Sequence, residues 1–407
     1  MLPNTDTKIK RFDKLCLSII LLSLGIYIYI YFQTILSVMI TNKDLAITGD
    51  NNSLIIARTF FALCITIVSI IFRIKHHHRL TTLGRVFLVF SIYMLIFALL
   101  DPANVTIKNY ITSYTSMSLW IFVYFFFYTF GKTYSITSKQ YAFFISFFTI
   151  YFFSLFLHNY LILTFGFGTP TALIESYFCI MMLPFITYLK GGKKIILISL
   201  IIIAAILSAK RTGTLALCVA LIIYLWMSGH SLTGKIKSIF LILTTFISVY
   251  LLANYFFEEQ FIHIIERFMN IKEDGGSGRD TLFVDVFNRI TESSPVELIF
   301  GHGYNSVIKY FPYSAHNDFL EVAFDYGLIG LLIYLSVYIA IIKSIIKNNR
   351  YRTTKMALSV SAILFFLVSC TSILILYPTS IIVLCAFWGI AESRCMHKSN
   401  LKKINTI

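Results

Sequence analysis

Residues 313–330 read YSAHNDFLEVAFDYGLIG, a polar opening that leads into a long apolar stretch. The opening carries His316, Asn317 and Asp318, and Glu321 follows within one helical turn. Ionisable side chains at the boundary of a membrane helix are costly to keep there, so they indicate a functional site. The stretch therefore predicts an apolar helix with a site at its mouth, and His316 is the leading candidate for a catalytic residue.

The rest of the chain is too apolar for a soluble protein. Of its 407 residues 57% are hydrophobic and 13% are charged, whereas about a quarter of the residues in a soluble domain are charged. The apolar runs are continuous and do not alternate with polar residues, which favours membrane helices over the strands of a β-barrel. These features predict an all-α integral membrane protein.

A helix needs about 20 apolar residues to span the hydrocarbon layer. By that criterion the chain contains about 12 transmembrane helices, and the first reads as an uncleaved span because no small-residue cleavage site follows it. The candidate spans are 15–40, 54–72, 83–100, 115–130, 140–157, 171–189, 194–208, 212–228, 236–256, 318–342, 356–376 and 378–392.

The Lys and Arg residues orient these spans. With the N-terminus in the cytoplasm, 24 of the 34 Lys and Arg residues fall in cytoplasmic segments, as the positive-inside rule requires. The chain then divides into transmembrane helices 1–9 (1–256), an extracytoplasmic loop (257–317), and transmembrane helices 10–12 with a cytoplasmic tail (318–407). Topology and the lipid bilayer account for the net charge of +15, so no nucleic-acid partner is needed.

The outer loop has internal patterning of its own. Apolar residues between 261 and 271 predict an amphipathic helix on the bilayer surface. The glycine-rich run 275–278 is expected to break the chain before a second helix, which Pro295 is expected to end. Gly301 and Gly303 then predict a tight turn. We expect this loop to carry catalytic residues, because long ordered loops are usually functional.

Three cations on the outer side stand out because cations should be sparse there. Lys210 and Arg211 lie between two short spans, so their junction is expected to dip below the outer membrane surface. Arg279 lies near the start of the second loop helix. A guanidinium in such a place suits phosphate oxygens. The structural alternatives are a snorkelling turn residue for Arg211 and a surface salt bridge to Asp280 or Asp285 for Arg279.

The polar opening also has structural alternatives. His316 could be a capping or core histidine, and Asn317 and Asp318 fit the N-cap of the tenth span. Glu321 shares a helix face with Asp325, where the two could position an outer cation or face a wet cavity.

The turn that precedes the opening adds two supporting candidates, His302 and Tyr304. His302, His316 and Asp318 could be drawn together as metal ligands, but their spacing matches no zinc signature. Neither a metal nor another cofactor is therefore expected.

These motifs follow one another in a fixed order along the chain, and the order resembles the bacterial O-antigen polymerase and O-antigen ligase superfamily. The layout of spans, with a large loop between the ninth and tenth, is similar to that family's. The resemblance covers about residues 195–345. The motifs in order are Arg211 after a short span, Ser277-Gly278-Arg279 in the loop, Gly301-His302-Gly303, and His316-Asn317 followed by Leu320, Gly327 and Gly330.

The resemblance implies a membrane glycosyltransferase of lipopolysaccharide biosynthesis in the bacterial inner membrane, with its active site on the periplasmic side. It would take a glycan from an undecaprenyl pyrophosphate carrier, with Arg211 and Arg279 binding the diphosphate. His316 would accept the proton of the acceptor hydroxyl, with inversion at the sugar. Richness in Ile, Phe, Tyr and Asn favours a polymerase, which passes the growing glycan to the non-reducing end of a carrier-linked repeat unit.

Two alternatives remain open. An O-antigen ligase would transfer the glycan to lipid A-core instead, and a flippase would move the lipid-linked oligosaccharide without forming a bond. The halves of the chain show no inverted repeat and the polar residues are concentrated in one loop, which speaks against a transporter. A chain-length regulator protein is a further partner that the resemblance implies.

The topology can be tested by cysteine labelling or reporter fusions. Because the cations fall mainly in segments assigned to the cytoplasm, we expect Gly276 and Ser306 to be outside the membrane, and His77, Arg350 and Lys398 to be inside. A cytoplasmic Gly276 would contradict both the topology and the proposed site, since the carrier-linked substrate would be on the other side.

Overall fold

The computed structural model describes residues 10–41, 52–100, 107–166, 173–208, 210–228, 275–311, 314–349, 351–375 and 380–404, with isolated positions between 233 and 251. Every regular element in these ranges is helical, which confirms the predicted all-α class. The helices are α1 (Arg11–Thr41), α2 (Asn52–His76), α3 (Thr82–Leu100), α4 (Ile107–Thr133), α5 (Ser138–Leu161, extended by a π-helical turn Ile162–Gly166), α6 (Ser176–Ile180), α7 (Leu183–Ile186), α8 (Gly192–Leu207), α9 (Arg211–Ser228), α10 (Gly275–Thr291), α11 (Pro295–Phe300), α12 (Ser306–Tyr310), α13 (Asp318–Lys347), α14 (Arg352–Ser369) and α15 (Ile381–Ile404).

Seven helices in the described ranges are long and apolar enough to cross a membrane, which confirms a multi-pass membrane protein. Ser176–Ile186 and Ile381–Ser393 are shorter apolar helices. The count of 12 stays a prediction, because the ninth predicted span, 236–256, lies almost entirely outside the described residues, as does the amphipathic helix predicted at 261–271. The seven helices are Arg11–Ser37, Ser53–His76, Thr82–Leu100, Ser138–Gly166, Arg211–Ser228, Asp318–Lys347 and Arg352–Ser369.

The sixth predicted span, 171–189, is not a continuous helix where the structure describes it. The short helices α6 and α7 are joined by a turn, and Pro184 lies in the first turn of α7. Proline has no backbone N–H to donate to a preceding turn, but the first turn of a helix does not need that bond. The chain therefore ends α6 and starts a new helix at Leu183, and this broken segment is buried in the protein.

The tenth predicted span is also interrupted. Gly327 within α13 has φ 65° and ψ −168°, so a half-helix Asp318–Tyr326 is followed by a long apolar helix. A break of this kind frees backbone carbonyls that must find other donors when they are buried. The carbonyls of Phe324 and Asp325 accept from His302 N and Gly303 N at 2.9 and 3.0 Å. The carbonyl of Tyr326 accepts from the Tyr93 hydroxyl at 3.0 Å.

The glycine turn predicted at Gly301 and Gly303 packs directly against the break in α13. Gly301 and Gly303 have φ 85° and 104°, as the predicted tight turn requires. A Cβ on Gly327 would lie 2.3 Å from the carbonyl oxygen of Ile299, and one on Gly301 would lie 2.3 Å from that of Asp325. The two backbones are in contact at a distance that only glycine allows.

Two expectations for the outer loop are wrong. The run 275–278 does not break the chain, because α10 begins at Gly275. Pro295 does not end that helix, which stops at Thr291, but starts α11 instead. Ser294 caps α11 by accepting from Glu297 N, and the Glu297 side chain accepts from Ser294 N. This capping box and a proline in the first turn are strong signals for a helix start.

A small apolar cluster holds the described part of this loop against α13. It consists of Val286 of α10, Val307 of α12, Ala315 and Phe324, all of which are fully buried. Since the cluster includes one residue next to His316 and one on the half-helix, it fixes α10 and α12 relative to the polar opening.

Segments predicted to be cytoplasmic meet at one end of the helix bundle. Asp13 of α1 accepts from Lys75 Nζ at 2.9 Å and from the Tyr134 hydroxyl. Thr81 donates to Glu392 of α15 at 2.5 Å. The contacts agree with a common side for these segments, and the assignment of that side to the cytoplasm stays a prediction.

Replacement of Gly327 by alanine tests the break in α13. We expect Gly327→Ala to destabilise the folded protein by at least about 2 kcal/mol, because a Cβ there is strained by the positive φ and overlaps the Ile299 carbonyl. Thermal unfolding of the detergent-purified protein and its abundance in membranes would measure the loss. Gly25→Ala is the matched control, since nothing lies within 4 Å of a Cβ at that position of α1. Equal stability of the two variants would contradict the close approach.

Candidate active site

The site is built at the N-terminus of the half-helix Asp318–Tyr326. Asn317 is its N-cap, and its Oδ1 accepts from Phe319 N and Leu320 N at 2.9 and 3.2 Å. The capping role expected of Asn317 is confirmed. Its Nδ2 also donates to the carbonyl of Cys370 at 3.0 Å, which ties the cap to the end of α14.

Asp318 does not cap the helix, contrary to the sequence expectation. Its Oδ1 accepts from the backbone of Leu374 at 2.8 Å and of Ile375 at 3.4 Å. Its Oδ2 accepts from the Tyr334 hydroxyl at 3.2 Å. Asn317 already occupies the cap, so the Asp318 carboxylate is directed to the turn that follows α14.

The other two carboxylates of the half-helix bind backbone in the same manner. Glu321 Oε1 accepts from Ala315 N at 2.6 Å, and Asp325 Oδ1 accepts from Ser306 N and Val307 N at 2.8 and 3.1 Å. Asp318, Glu321 and Asp325 are at most 1% exposed. Buried carboxylates are stable only when they are hydrogen-bonded. Each one therefore holds a separate chain segment in place around the opening.

The residues on both sides of His316 are fixed by hydrogen bonds. Ala315 N is bonded to Glu321, and Asn317 is bonded to Cys370. The backbone of His316 is left-handed, with φ 50°. Residues other than glycine adopt this conformation uncommonly, and it persists where the surroundings enforce it, often at functional sites. The backbone at His316 is thus fixed on both sides before any ligand binds.

The electrostatic surroundings of His316 keep its imidazole neutral. Burial, with the positive charges of Arg279 and Lys210 adding to the effect, lowers the pKa of His316 to about 4. Only the neutral imidazole can accept a proton. The two cations named in the sequence analysis therefore act directly on the candidate base.

Arg279 is held by a backbone carbonyl. Its Nη1 donates to the carbonyl of Thr371 at 2.6 Å. Burial lowers the pKa of Arg279, nearby Tyr177 raises it, and the charge of Arg211 lowers it. Among the described side chains no ion pair joins Arg279 to a carboxylate, so the salt bridge to Asp285 that was considered above does not form. The side chain of Asp280 lies outside the described residues.

The corner before α9 carries the other two cations. Lys210 N donates to Ser208 Oγ at 3.3 Å, and Arg211 is the first residue of α9. The Ser208 carbonyl accepts from Leu173 N at 3.1 Å, which ties this corner to the broken segment α6–α7. The charge of Lys210 acts on both His316 and Glu175. The structure thus brings Lys210, Arg211, Arg279 and His316 into one electrostatic neighbourhood.

His302 and Tyr304 have other surroundings. The His302 ring stacks on Phe324 with centroids 4.3 Å apart, and its Nε2 lies 2.8 Å from Ser293 Oγ. Burial lowers the pKa of His302, although Glu297 raises it and Arg289 lowers it further. Tyr304 packs against the main core. Within the described part of the chain, the contacts of His302 hold the loop to α13 and do not include His316, Lys210 or either arginine of the site.

Sequence reasoning missed three parts of this neighbourhood. Glu175 is fully buried, and its Oε1 accepts from Asn159 Nδ2 at 3.1 Å. It is the single acidic residue of the predicted sixth span, so the rule that flags ionisable residues in membranes could have found it. Tyr177 and residues 370–375 carry no comparable signal, because a tyrosine is common in a span and 370–375 read as the end of the eleventh predicted span, 356–376. The structure ends that helix at Ser369.

The arrangement suits an anionic ligand next to a neutral base. The charges of Lys210 and Arg279 act on the His316 imidazole and that of Arg211 acts on Arg279, and a guanidinium can bind phosphate oxygens with two parallel hydrogen bonds. Within the described residues no group of three His, Cys, Asp or Glu side chains could hold a metal ion. The chemistry that these side chains can supply is binding of phosphate and acceptance of a proton.

Comparison with known families gives one match. Residues 196–335 match the family model described as O-antigen ligase. The match supports assignment to the O-antigen ligase and polymerase superfamily. No curated protein matches the chain.

The O-antigen ligase match agrees closely with the stretch, 195–345, on which the sequence resemblance rests. It contains all four residues of the electrostatic neighbourhood described above. Glu175, Tyr177 and the turn 370–375 lie outside it. The family model therefore covers the candidate catalytic and cationic residues, whereas the elements that pack against them come from both flanking regions.

Proposed function

We propose that the protein is an O-antigen polymerase, a membrane glycosyltransferase that uses a lipid-pyrophosphate-linked donor. It would transfer the growing glycan from undecaprenyl pyrophosphate to the non-reducing end of a carrier-linked repeat unit. The observation that carries this proposal is the grouping of Arg279 and Lys210 around His316, with Arg211 next to Arg279. The superfamily assignment supports a glycosyltransferase in general, the site supports a diphosphate-linked donor, and the preference for polymerase over ligase rests on composition.

Arg211 and Arg279 would bind the diphosphate of the donor, and Lys210 would add to the positive field. In the reaction, the acceptor hydroxyl oxygen bonds to the anomeric carbon while the bond from that carbon to the phosphate oxygen breaks. The electron pair of the broken bond remains on the diphosphate. Preorganised cations stabilise charge that develops on a leaving group without reorganisation at the moment of reaction. Direct displacement of this kind inverts the configuration at the anomeric carbon.

His316 would take the proton of the acceptor hydroxyl. In the empty site its pKa is about 4, which makes the imidazole neutral but weakly basic. A bound diphosphate would offset the charges of Arg279 and Lys210, and a nearby anion favours the protonated form of a histidine. His316 would therefore become a stronger base when the donor is present, which favours activation of the acceptor only in the loaded site.

The ligase alternative keeps the same site and the same chemistry. The matching family model is described as O-antigen ligase, so transfer of the glycan to lipid A-core is the second candidate. The richness in Ile, Phe, Tyr and Asn favours the polymerase. A flippase has less support, because a neutral imidazole beside cations is suited to bond formation.

The proposed location of the site follows from the side of the membrane on which the donor is presented. Carrier-linked glycans are presented at the outer face of the bacterial inner membrane in this superfamily, so the site would face the periplasm and both termini the cytoplasm. A chain-length regulator would be a further protein partner. Neither a metal nor another cofactor enters the proposed reaction.

Transfer by the purified enzyme tests the proposal. With carrier-linked repeat units as donor and acceptor in the presence of EDTA, we expect His316→Ala to lose about a hundred- to ten-thousandfold in rate, the usual contribution of a general base. The wild-type kcat/KM should be flat from about pH 6 to 8 and fall only as the pH drops through the His316 pKa of about 4. His302→Ala is the control, and it should lower abundance while activity per molecule survives.

Full turnover by His316→Ala would contradict the base assignment, and activity lost to EDTA would indicate a metal site. The acceptor separates the two transferases. Turnover with lipid A-core and none with carrier-linked repeat units would replace the polymerase by the ligase.

A further inference from the structure

An apolar cleft lies between α1 and α5, two helices that run in the same direction. They are joined where the Tyr151 hydroxyl donates to the Gly25 carbonyl at 2.8 Å and where Asn159 Nδ2 donates to the Phe32 carbonyl at 3.1 Å. From Gly25 toward the start of both helices, a cavity of about 200 Å³ lies between them. The two helices therefore diverge from their joined ends, and the cleft is the space that opens between them.

Hydrocarbon side chains line the cleft along most of its length. The lining includes side chains of α4, α7 and α15, together with Leu17 and Leu24 of α1 and Phe144 and Phe148 of α5. An apolar cavity of about 150 Å³ lined by Leu, Ile and Phe stays dry and takes up a hydrocarbon molecule such as benzene. The cleft between α1 and α5 therefore suits a hydrocarbon chain.

The polar side chains that face the cleft open to solvent at one end of it, which we call the mouth. Ser135 lies in the connection between α4 and α5, Gln140 lies in the first turn of α5, and both are exposed. The two tyrosines of the lining, Tyr134 and Tyr141, donate their hydroxyls to other groups of the protein. An apolar interior with a polar mouth is the division expected of a site for an amphipathic molecule.

The mouth is also positively charged. Lys139 is the neighbour of Gln140, Lys14 lies one helical turn before Leu17, and both lysines are exposed. Asp13, the nearest acidic residue in sequence, is fully buried and already bound within the protein. The N-terminus of α5 carries a partial positive charge, which adds to that of the lysines. The charge at the mouth therefore complements an anionic head group.

We propose that the cleft binds an anionic phospholipid, with an acyl chain between α1 and α5 and the phosphate at Lys14 and Lys139. This site is separate from the candidate active site. Asn159, the partner of Phe32, also donates to Glu175, so the joined ends of the two helices lie on the side of the active site. Lys14 precedes Phe32 by 18 residues, which is about 27 Å along a helix. A carrier whose diphosphate is bound at the active site would have no anion at the mouth, which favours a phospholipid.

The test uses the full-length protein in a non-ionic detergent, stripped of co-purified lipid. Native mass spectrometry measures its apparent affinity for phosphatidylglycerol and for phosphatidylcholine with the same acyl chains. We expect Lys14→Gln and Lys139→Gln each to weaken phosphatidylglycerol binding about fivefold, the contribution of one lysine near an anionic lipid surface. The double variant should lose about 25-fold, while its affinity for phosphatidylcholine should equal that of the wild type.

Arg85→Gln combined with Lys343→Gln is the matched control. The pair removes the same charge from exposed positions on α3 and α13, and among the described helices these two contribute no side chain to the cleft. Its affinity for phosphatidylglycerol should equal that of the wild type. Ala386→Leu on α15 tests the hydrocarbon part, because a larger side chain in the lining should weaken both phospholipids alike.

Equal affinity of the wild type for the two phospholipids would overturn the proposal, as would wild-type affinity for phosphatidylglycerol in the double lysine variant. A folded Ala386→Leu protein that binds phosphatidylglycerol as tightly as the wild type would also overturn it. If Ala386→Leu does not fold, the lysine variants decide, since they change exposed side chains only. An equal loss in the control pair would indicate unspecific attraction, and displacement of phosphatidylglycerol by equimolar undecaprenyl phosphate would assign the cleft to the carrier. Either result would overturn the proposal.

Discussion

The arrangement of the site depends on the need of three buried carboxylates for hydrogen-bond donors. Asp318, Glu321 and Asp325 share the half-helix before Gly327, and each accepts hydrogen bonds from backbone N–H groups of a different segment. A buried carboxylate without donors costs several kcal/mol, so the folded chain has to bring the three segments to this half-helix. One of these segments ends at His316, another is the turn that holds Arg279, and the third follows the glycine turn 301–303.

Broken helices make this arrangement possible inside a membrane protein. A continuous helix satisfies its own backbone and offers no groups to its neighbours. The break at Gly327 releases three carbonyls, which bind the glycine turn and Tyr93. The break between α6 and α7 places Glu175 and Tyr177 against the corner that carries Lys210 and Arg211. Each interruption therefore lies in a segment that also contributes to the site.

Much of the fold and of the candidate site could be predicted from the sequence, because the signals are local. Apolar runs give the membrane helices, and the cations and His316 stand out against an apolar chain. The break before Leu183 has a local signal in Pro184, which the predicted continuous span overlooked. The break at Gly327 could not be predicted, since it depends on close packing with a distant segment. For the same reason Asp318 was assigned to a cap. Its actual partners, Leu374 and Ile375, are more than 50 residues away in sequence.

Sequence reasoning also could not find what connects the catalytic and cationic residues. Cys370 and Thr371 are ordinary residues in their local context, and their carbonyls bind Asn317 and Arg279 only because distant segments pair. The residue types that perform chemistry can be recognised one at a time, whereas the residues that set distances between them are defined by tertiary contacts.

The central claim is that His316 and the cations form a single anion-binding site, and titration of the His316 imidazole tests it most directly. The measurement uses NMR of purified protein with 15N-labelled histidine, with the His316 signal assigned from His316→Gln. Without ligand the account predicts a pKa near 4, and with inorganic pyrophosphate a rise of about one unit or more as the charges of Arg279 and Lys210 are offset. A pKa that does not change when pyrophosphate is added, or that is already close to the ordinary value of about 6.5, would contradict the account.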